Sequence, residues 1–321
     1  MRHIFLINPA AGGGKRIPEL VEKIRHTCVT RAADFLIHTT TRIGDATETV
    51  RRLCGEATAD APMRFYACGG DGTLGEVANG MVDCPYAELG LIPSGTGNDF
   101  VRNFTVTDRF SDIDAQLDGT ATPIDLLRVS DRYCVNMINI GFDCEVVSQK
   151  EDLGKKPYIP GKLAYIIGVA LTFFKMPGIR ARVRVDEGEE RELPLQLTTI
   201  ANGECCGGGF HSNPRSLLQD GMIDLLQIDP ISRLTFLRLI GSYQKGTHLD
   251  GDKNASILRS FKCRTLDMTF EQNQNICIDG EITTMRRLHV EVAPAKVRFA
   301  IPRGADLRRP LTVKTAEEVP V

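Results

Sequence analysis

The sequence lacks several features that define other classes of protein. Its 39 Lys and Arg residues nearly balance 41 Asp and Glu residues, and no basic stripe with interleaved aromatics appears, so nucleic-acid binding is not expected. The ten cysteines include no Cys-x-x-Cys pair and the six histidines lack ligand spacing, so a zinc site is not expected either. The longest apolar stretch, residues 163–174, is far shorter than the roughly twenty residues that a membrane-spanning helix requires.

The start of the chain shows no signal-peptide pattern, because a strand-like run begins at once. Several cysteines lie inside apolar runs, where they are expected to be buried free thiols in a reducing compartment. Both observations predict a cytoplasmic protein.

What the sequence has is three glycine-rich loops, at residues 8–15, 69–75 and 93–99, each after a short apolar run. Glycines let backbone N–H groups approach a ligand, and the N-terminus of a following helix favours an anion. Arg16 follows Lys15 where a Walker motif requires Ser or Thr, and no loop has the dinucleotide fingerprint. The loops therefore predict a nucleotide phosphate site of another kind.

Asp71 lies in the second loop, in Gly69-Gly70-Asp71-Gly72-Thr73. A carboxylate beside a bound anion requires a cation between them, and a nucleotide triphosphate with Mg²⁺ provides one. In the other loops, Lys15 could give a point charge to a phosphate, and Thr96 a hydroxyl to a phosphate or ribose. The alternative for the second loop is an ordinary surface turn.

Periodicity divides the chain into two domains. Strand-like runs at 4–7, 35–38, 64–67 and 89–92 alternate with helical stretches near 18–28, 45–57 and 74–82. This alternation predicts a doubly wound α/β domain over 1–123, with ligand beyond the carboxyl ends of its parallel strands. Strand-like segments dominate 124–296, which predicts a mainly antiparallel β-sandwich. Its expected strands lie at 124–129, 133–140, 180–185, 193–201, 224–228, 262–270, 275–278 and 288–292.

The ordered series of motifs resembles the diacylglycerol kinase catalytic domain family, and is most similar to its soluble bacterial lipid kinases. The matching segments are 8–15, 69–73, 93–99, 139–143, 201–209, 220–224 and 278–281. A Gly-Gly-Asp-Gly-Thr loop alone is shared with NAD kinases and phosphofructokinases, but the series ending in Asp279-Gly280-Glu281 is specific to lipid kinases. The resemblance covers roughly residues 2–301.

The resemblance implies ATP-dependent transfer of the γ-phosphate to a lipid hydroxyl, with diacylglycerol as the preferred acceptor and ATP and Mg²⁺ as cofactors. Glu281 matches the proton acceptor, and Asp71 is expected to reach the catalytic Mg²⁺. Without the resemblance, Glu281 reads as an exposed carboxylate in a hairpin turn. Expected nucleotide contacts are Asn8, Lys15, Thr40, Gly69, Gly70, Asp71, Gly72, Thr73, Leu74, Gly75 and Thr96.

Further acidic positions match the family less firmly. A structural Mg²⁺ is implied at Leu217, Asp220 and Met222, although an Asp-Gly turn needs no metal to form. Asp279 is expected to support the base or a second metal. Asp99 and Asp125 match acids near the catalytic network, or are a helix cap and a turn residue. The segment 297–321 is implied to pack on the first domain.

Two positions depart from the family pattern. Gly75 stands where an Asn is usual, which affects phosphate or ribose recognition. Cys205-Cys206 replaces a bulky, often aromatic pair and is expected to reshape the lipid side of the site.

Residues 150–184 carry eight basic and two acidic side chains around the apolar run. This predicts peripheral, transient contact with an anionic membrane; a core helix with solvated flanks is the alternative. The expected partners are thus a membrane lipid and an anionic surface, with a homodimer left open. Alternative functions are a kinase for phosphatidylglycerol or a sphingoid base, an NAD kinase-like enzyme, or an inactive nucleotide- or lipid-binding regulator.

Overall fold

The computed structural model describes residues 1–154, 167, 171–176 and 178–309. This part of the chain divides into two compact units. The first contains Met1–Leu126, Leu218–Asp220 and Ala293–Arg309, and the second contains Leu127–Leu217 and Gly221–Val292.

Four parallel strands form the centre of the first unit, in the order β2-β1-β3-β4. They are β1 (Arg2–Ile7), β2 (Phe35–Thr39), β3 (Met63–Gly69) and β4 (Ala87–Pro93). Every residue of β3 is buried, as expected for a parallel strand covered on both faces. The predicted parallel α/β domain is confirmed.

Helices connect these strands. They are α1 (Ile17–Thr30), α2 (Asp45–Cys54), α3 (Asp71–Met81) and α4 (Ile113–Leu117), with 3-10 helices at Ala11–Gly13, Phe100–Asn103 and Thr107–Ser111. Phe5 and Tyr66 on the sheet pack in one cluster with Ile17 and Ile24 of α1. The third loop is followed only by the 3-10 turn Phe100–Asn103, and the alternative role of Asp99 as a helix cap is wrong because its side chain makes no capping hydrogen bond there.

The second unit is built on antiparallel pairs. Its strands are β5 (Thr120–Val129, which begins in the first unit), β6 (Arg132–Cys134), β7 (Met137–Gly141), β8 (Ile179–Val185), β9 (Arg191–Leu195), β10 (Leu197–Ala201), β11 (Ile223–Ile228), β12 (Leu258–Cys263), β13 (Thr265–Ile278) and β14 (Glu281–Ile301). β7 lies between β10 and β13, β10 also pairs with β11, and β13 also pairs with β8 and β14. The mainly antiparallel prediction is confirmed.

Alternate residues of these strands form the core of the second unit. Ile138 and Ile140 of β7 pack with Ala181 and Val183 of β8 and with other residues at the same period of two. Residues on the opposite face, such as Leu226 of β11, pack against two helices, α5 (Phe142–Gly154) and α6 (Arg233–Lys245).

Three strands expected to be continuous are in fact divided. The predicted strands 133–140, 193–201 and 262–270 each contain parts of two elements. At Gln196 the chain leaves the β8–β9 pair and joins β7 and β11, and the Gln196 backbone bonds to Phe142 and Ile228. Because the residues on both sides of Gln196 are apolar, the sequence predicted one strand where the chain changes its partner strand.

The last strand of the described residues, β14, begins in the second unit and ends in the first, where Phe299 is paired in parallel with Leu89 of β4. Phe299 is fully buried and stacks with Phe104, and Phe100 meets it edge-on. Among the helices of the described residues, none is long and apolar enough to cross a membrane.

Candidate functional site

Three loops meet in the first unit, at the carboxyl ends of β1, β3 and β4. Ser94 N and Gly95 N donate to Gly69 O at 2.9 and 3.2 Å. A Cβ on Gly95 would lie 2.5 Å from Gly70 Cα, and one on Gly12 would lie 2.5 Å from Ser94 O. Glycine is thus required at these positions because the loops touch one another. The contacts between the loops are formed in the absence of a ligand.

Asn8 and Thr73, both predicted to contact nucleotide, join the first two loops. Asn8 Nδ2 donates to Thr73 Oγ1 at 3.1 Å, while Asn8 Oδ1 accepts from Ala10 N at 3.0 Å. A Cβ on Gly69 would lie 2.1 Å from Thr73 Oγ1, so Gly69 makes room for this hydroxyl. The side chain of Asn8 therefore fixes the shape of its own loop and its distance from α3.

Asp71 is the first residue of α3, and its carboxylate holds the third loop. Its two oxygens accept from Asp99 N and Phe100 N, both at 3.2 Å. A Cβ on Gly97 would lie 3.3 Å from Asp71 Oδ2, so the loop packs directly over this acid. Asp71 is a structural acceptor as well as a candidate for contact with Mg²⁺.

The remaining predicted nucleotide residues differ in accessibility. Lys15 and Thr96 are exposed, while Thr40 is buried at the end of β2 and its hydroxyl donates to Ile7 O at 3.2 Å. Leu74 is buried with its side chain in the core, so only its backbone could face a ligand. Gly75 lies within α3, where its carbonyl accepts from Asn79 Nδ2 at 2.8 Å.

The N-terminus of α3 is open in the way an anion site requires. Gly70 precedes the helix in an extended conformation and, being glycine, has no side chain that could cover the first turn. The first-turn N–H groups carry the partial positive charge of the helix dipole and lie beside the glycine loops.

In the second unit, Asp279 and Gly280 form the two-residue turn between β13 and β14. Both have positive φ, 48° and 90°, which matches the right-handed twist of the hairpin. The Asp279 carboxylate accepts from Val135 N, Asn136 N and Met137 N at 2.7, 2.9 and 3.1 Å. Burial raises the pKa of this carboxyl, while these backbone donors oppose the shift. Asp279 therefore anchors the turn that carries Glu281.

Glu281, the predicted proton acceptor, is exposed at the start of β14. Its Oε2 lies 3.3 Å from Arg132 Nη1 in an ion pair. Arg132 was not singled out by the sequence, because it belongs to no glycine loop or acidic motif.

Asp220, in the turn predicted to hold a structural metal, ends the short segment Leu218–Asp220 that belongs to the first unit. Gly221 has a φ of 67°, as an Asp-Gly turn requires. Leu218 O accepts from Asp125 N at 2.7 Å, and the Asp125 carboxylate accepts from Ala295 N, also at 2.7 Å. Asp125 thus has a structural role in the first unit, and the metal at Leu217, Asp220 and Met222 stays a prediction.

An apolar pocket, which the sequence did not predict, opens in the second unit. It has about 800 Å³ of empty space, including part open to solvent. Its lining residues are Asn139, Phe142, Asp143, Val146, Val147, Gln196, Leu197, Cys206, Gly207, Phe210, Ile228, Ile231, Phe236, Leu239, Ile240 and Tyr243. Most come from β-strand faces and from α5 and α6.

One polar pair lies in the wall of this pocket. Tyr243 Oη donates to Asp143 Oδ2 at 3.0 Å. Burial raises the pKa of Asp143 to about 6, so this acid is partly protonated near neutral pH. The pocket thus joins a large apolar surface to a few polar side chains, this pair among them. Asp143 belongs to the motif 139–143, but nothing in that motif indicated its partner on α6.

Part of the basic segment 150–184 lies outside the described residues, including Lys155, Lys156 and Lys162. The described arginines of this segment lie on β8. Each pairs with an acidic residue that lies outside residues 150–184 and therefore did not enter the charge balance of that segment. Arg180, Arg182 and Arg184 pair with Glu192, Glu190 and Asp267 at 3.3, 3.1 and 2.9 Å. Their charges are therefore largely balanced on the surface of the second unit.

Two family models match the chain. The diacylglycerol kinase catalytic domain matches residues 2–129, and the YegS C-terminal NAD kinase beta sandwich-like domain matches residues 136–301. The chain therefore belongs to the family that unites these two domains, a family of lipid kinases for which ATP is the implied phosphate donor.

Proteins of similar sequence match this chain over most of their length. A "Probable lipid kinase YegS-like" protein of Xanthomonas axonopodis pv. citri is 31% identical over 85% of this chain and 88% of its own. One from Pseudomonas aeruginosa is 30% identical over 86% and 87%. A solved diacylglycerol kinase structure from Bacillus anthracis is similar in fold, with a TM-score of 0.70, 19% identity, and coverage of 94% of this chain and 97% of that one.

Proposed function

We propose that this protein is a magnesium- and ATP-dependent lipid kinase that phosphorylates a hydroxyl of a membrane lipid, with diacylglycerol as the preferred acceptor. The observation that carries the lipid part of the proposal is the apolar pocket, with the hydrogen-bonded pair Asp143 and Tyr243 in its wall. The family and the three joined glycine loops support the nucleotide part.

The loops fit the triphosphate of ATP. The open N-terminus of α3 and the exposed Lys15 offer positive charge, while exposed Thr96 offers a hydroxyl. The loops are held together before any ligand arrives, by Asn8, Thr73 and Asp71. Binding therefore costs little ordering of the backbone, which favours accurate placement of the γ-phosphate.

Asp71 is the residue that would hold the Mg²⁺ that accompanies ATP, since it is a carboxylate beside an anion site. When bound, the ion neutralises charge on the phosphate oxygens. The backbone N–H groups of Asp99 and Phe100 fix the Asp71 carboxylate in one orientation.

Glu281 is the residue proposed to orient and deprotonate the attacking lipid hydroxyl. The Asp279-Gly280 turn before it is held by three backbone hydrogen bonds to Asp279, which limits the movement of Glu281, and Arg132 Nη1 pairs with its Oε2 at 3.3 Å. Phosphoryl transfer depends mostly on positioning and charge, so a single carboxylate acting as base is sufficient.

The apolar pocket is proposed to hold the hydrocarbon part of the lipid, because ligand sites of this kind bury apolar surface around a few polar groups. The Asp143–Tyr243 pair would hydrogen-bond to a polar group of the lipid. A small polar acceptor such as NAD would leave most of the pocket walls without a partner, which disfavours an NAD kinase-like activity.

The test is a phosphotransfer assay with labelled ATP and mixed micelles that contain one lipid at a time: diacylglycerol, phosphatidylglycerol, a sphingoid base, or detergent alone with NAD. We expect fastest labelling of diacylglycerol. Labelling of another lipid would correct the acceptor, and labelling of NAD alone or of nothing would contradict a lipid kinase.

The pocket is tested separately by Ile231→Asn, with Ile257→Asn as the matched control. Both side chains pack against the same core cluster, but only Ile231 lines the pocket. We expect Ile231→Asn to raise the KM for lipid while the KM for ATP stays unchanged. Equal lipid KM values for the two variants would remove the pocket from the proposal.

Membrane contact is also part of the proposal, and exposed apolar side chains support it. Phe174, Leu234 and Leu237 are 69, 59 and 58% exposed, and Arg233 Nη2 bonds to Phe174 O, which places them at one end of α6. Leu234 and Leu237 are three residues apart and so share a helix face. Arg233 and Arg238 flank them, as suits an anionic bilayer.

Vesicle co-sedimentation tests this contact. Binding of the wild type is expected to rise with anionic lipid and to fall with added salt, because salt screens the basic side chains. Leu234→Ser with Leu237→Ser is expected to weaken binding, as is Lys155→Glu with Lys156→Glu. Binding curves that coincide for all three proteins would exclude this surface.

A further inference from the structure

Among the residues that the structure describes, one group of three side chains has the composition and spacing of a metal site. The carboxylate of Glu204, the thiol of Cys205 and the imidazole of His211 each offer one ligand atom, and these atoms all lie within 4.8 Å of one another. We propose that they bind a thiophilic divalent cation of the Zn²⁺ class. This site is separate from the predicted Asp220 loop and from the residues assigned to phosphate transfer.

The three ligand atoms converge on one point instead of forming a chain. Cys205 Sγ lies 3.3 Å from His211 Nδ1, and the same Nδ1 also meets Glu204 Oε1. A single ring nitrogen has either one hydrogen or one lone pair, so it cannot serve two good hydrogen bonds at once. A cation between the three atoms would satisfy all of them together.

Charge and ligand type agree with such a cation. A thiolate, a carboxylate and a neutral imidazole together carry two negative charges, which a divalent ion balances. Sulfur and nitrogen ligands favour Zn²⁺ and its neighbours over Mg²⁺, which prefers oxygen. Glu204 and Cys205 are 4 and 0% exposed, so a cation held by them would be largely shielded from water.

A tight turn brings the ligands together. Cys206 and Phe210 exchange two backbone hydrogen bonds of 2.9 Å, and the three glycines between them have φ values of 59°, 82° and 113°. The backbone on either side is also held: Asn136 Nδ2 donates to Cys205 O at 2.9 Å, and Asn213 N donates to Glu204 O at 3.1 Å. Glu204 and Cys205 therefore face His211, six to seven residues further along the chain, on a preformed turn. Because this spacing matches no familiar metal-binding motif, the sequence did not predict the group.

The proposed metal site lies beside the apolar pocket of the second unit. Cys206, Gly207 and Phe210 belong to the same turn and line the apolar pocket. A cation bound at the base of the turn would fix this wall of the pocket.

Cobalt substitution tests the site on the full-length protein, after treatment with a chelator and in the absence of ATP and lipid. Co²⁺ is expected to give a near-ultraviolet thiolate charge-transfer band and visible bands of a four-coordinate ion, which an equivalent of Zn²⁺ then removes. Cys205→Ser is expected to lose the charge-transfer band. Cys206→Ser is the matched control, since this neighbouring buried thiol lies outside the group and is expected to keep the band.

His211→Gln provides a second variant, because its side chain is 22% exposed and its replacement is expected to leave the fold intact. We expect it to weaken Co²⁺ binding by at least about 10-fold, the loss that follows even from removing an outer-shell partner. No band in the wild type, or bands of equal strength in wild type, Cys205→Ser and His211→Gln, would overturn the proposal. Because the assay contains neither ATP nor lipid, its failure would leave the proposed kinase activity unaffected.

Discussion

At the scale of single residues, two aspartates of the expected kinase motifs hold backbone loops. Asp71 accepts from the N–H groups of residues 99 and 100, and Asp279 accepts from those of residues 135, 136 and 137. A carboxylate fixed in this way loses little conformational freedom when a ligand binds. The same side chain can therefore hold a loop in place and contribute to the proposed chemistry.

Asp71→Asn is expected to lower turnover and to raise the Mg²⁺ concentration required for half-maximal activity. The amide oxygen can still accept one backbone bond, but the charge that favours Mg²⁺ is lost. Steady-state kinetics against Mg²⁺ at saturating lipid measure the effect. Asp60→Asn, an exposed carboxylate of the same unit, is the control. An unchanged Mg²⁺ dependence in Asp71→Asn would refute the assignment.

Glu281→Gln is expected to lower kcat on the order of 10²–10⁴-fold, the usual contribution of a general base, with little change in ATP affinity. The amide preserves shape and hydrogen bonding but cannot accept the proton. Glu187→Gln alters an exposed turn carboxylate between β8 and β9 and serves as control. If the folded Glu281→Gln protein turns over at the normal rate, Glu281 has no part in proton transfer.

The sequence could name these residues but not their partners. Gly69–Thr73 and Asp279–Glu281 are local patterns, and a local pattern shows which chemistry is present. Arg132 beside Glu281, and Tyr243 beside Asp143, are 149 and 100 residues away along the chain. Such pairs follow from strand and helix packing, which no short motif records.

At the scale of elements, the glycine loops depend on contact between neighbouring turns. Gly95→Ala is expected to destabilise the first unit by about 1–3 kcal/mol, because the new Cβ would lie 2.5 Å from Gly70 Cα and backbone would have to move. ATP binding is expected to weaken with it. Urea unfolding and nucleotide titration measure the two effects, and wild-type values in both would contradict the close approach of the loops.

Gly241→Ala is the contrasting substitution. Gly241 lies within α6, and a Cβ there meets nothing within 4 Å. Alanine is expected to stabilise the helix by about 0.5–1 kcal/mol, because glycine loses more backbone entropy on folding. Urea unfolding of this variant should therefore show a higher midpoint, and a lower one would indicate an unrecognised contact at this helix face.

The sequence predicted the strands of the first unit better than the helices of the second. The strands β1 to β4 were found because each is a short apolar run bounded by turn residues. Helices α5 and α6 were missed because α5 directly follows β7 without a break, and α6 exposes Leu234 and Leu237 and so lacks a clean polar face. Apolar residues outside the core weaken the period on which the prediction of a helix depends.

At the scale of the whole molecule, buried titratable groups set the response to acid. Burial lowers the pKa of His3 in the first unit and of His248 in the second to about 4. Between about pH 6.5 and 4, unfolded chains bind protons that the folded protein excludes, so the free energy of unfolding falls as pH falls. Asp143, with its raised pKa, opposes this, since its contribution to stability is lost as pH rises.

The raised pKa of Asp279 acts in the same direction as that of Asp143, but the two histidines are shifted further, so we expect a net loss of a few kcal/mol in the free energy of unfolding between pH 7 and pH 4.5. Urea unfolding at the two pH values measures it. His3→Gln and His248→Gln should each show a smaller loss than the wild type, because glutamine cannot be protonated. Equal stability of the wild type at both pH values would show that these histidines are accessible to water when folded.

The path of β14 also determines when the first unit can be completed during synthesis. Its sheet receives Phe299 next to Leu89 only after all of the second unit has left the ribosome. Until then the edge of β4 and the hollow between Phe100 and Phe104 lack their final partner, and exposed strand edges promote aggregation. The nascent first unit therefore stays incomplete until the end of β14 has been made, and a truncation before residue 293 is expected to destabilise the first unit by removing the strand that pairs with β4.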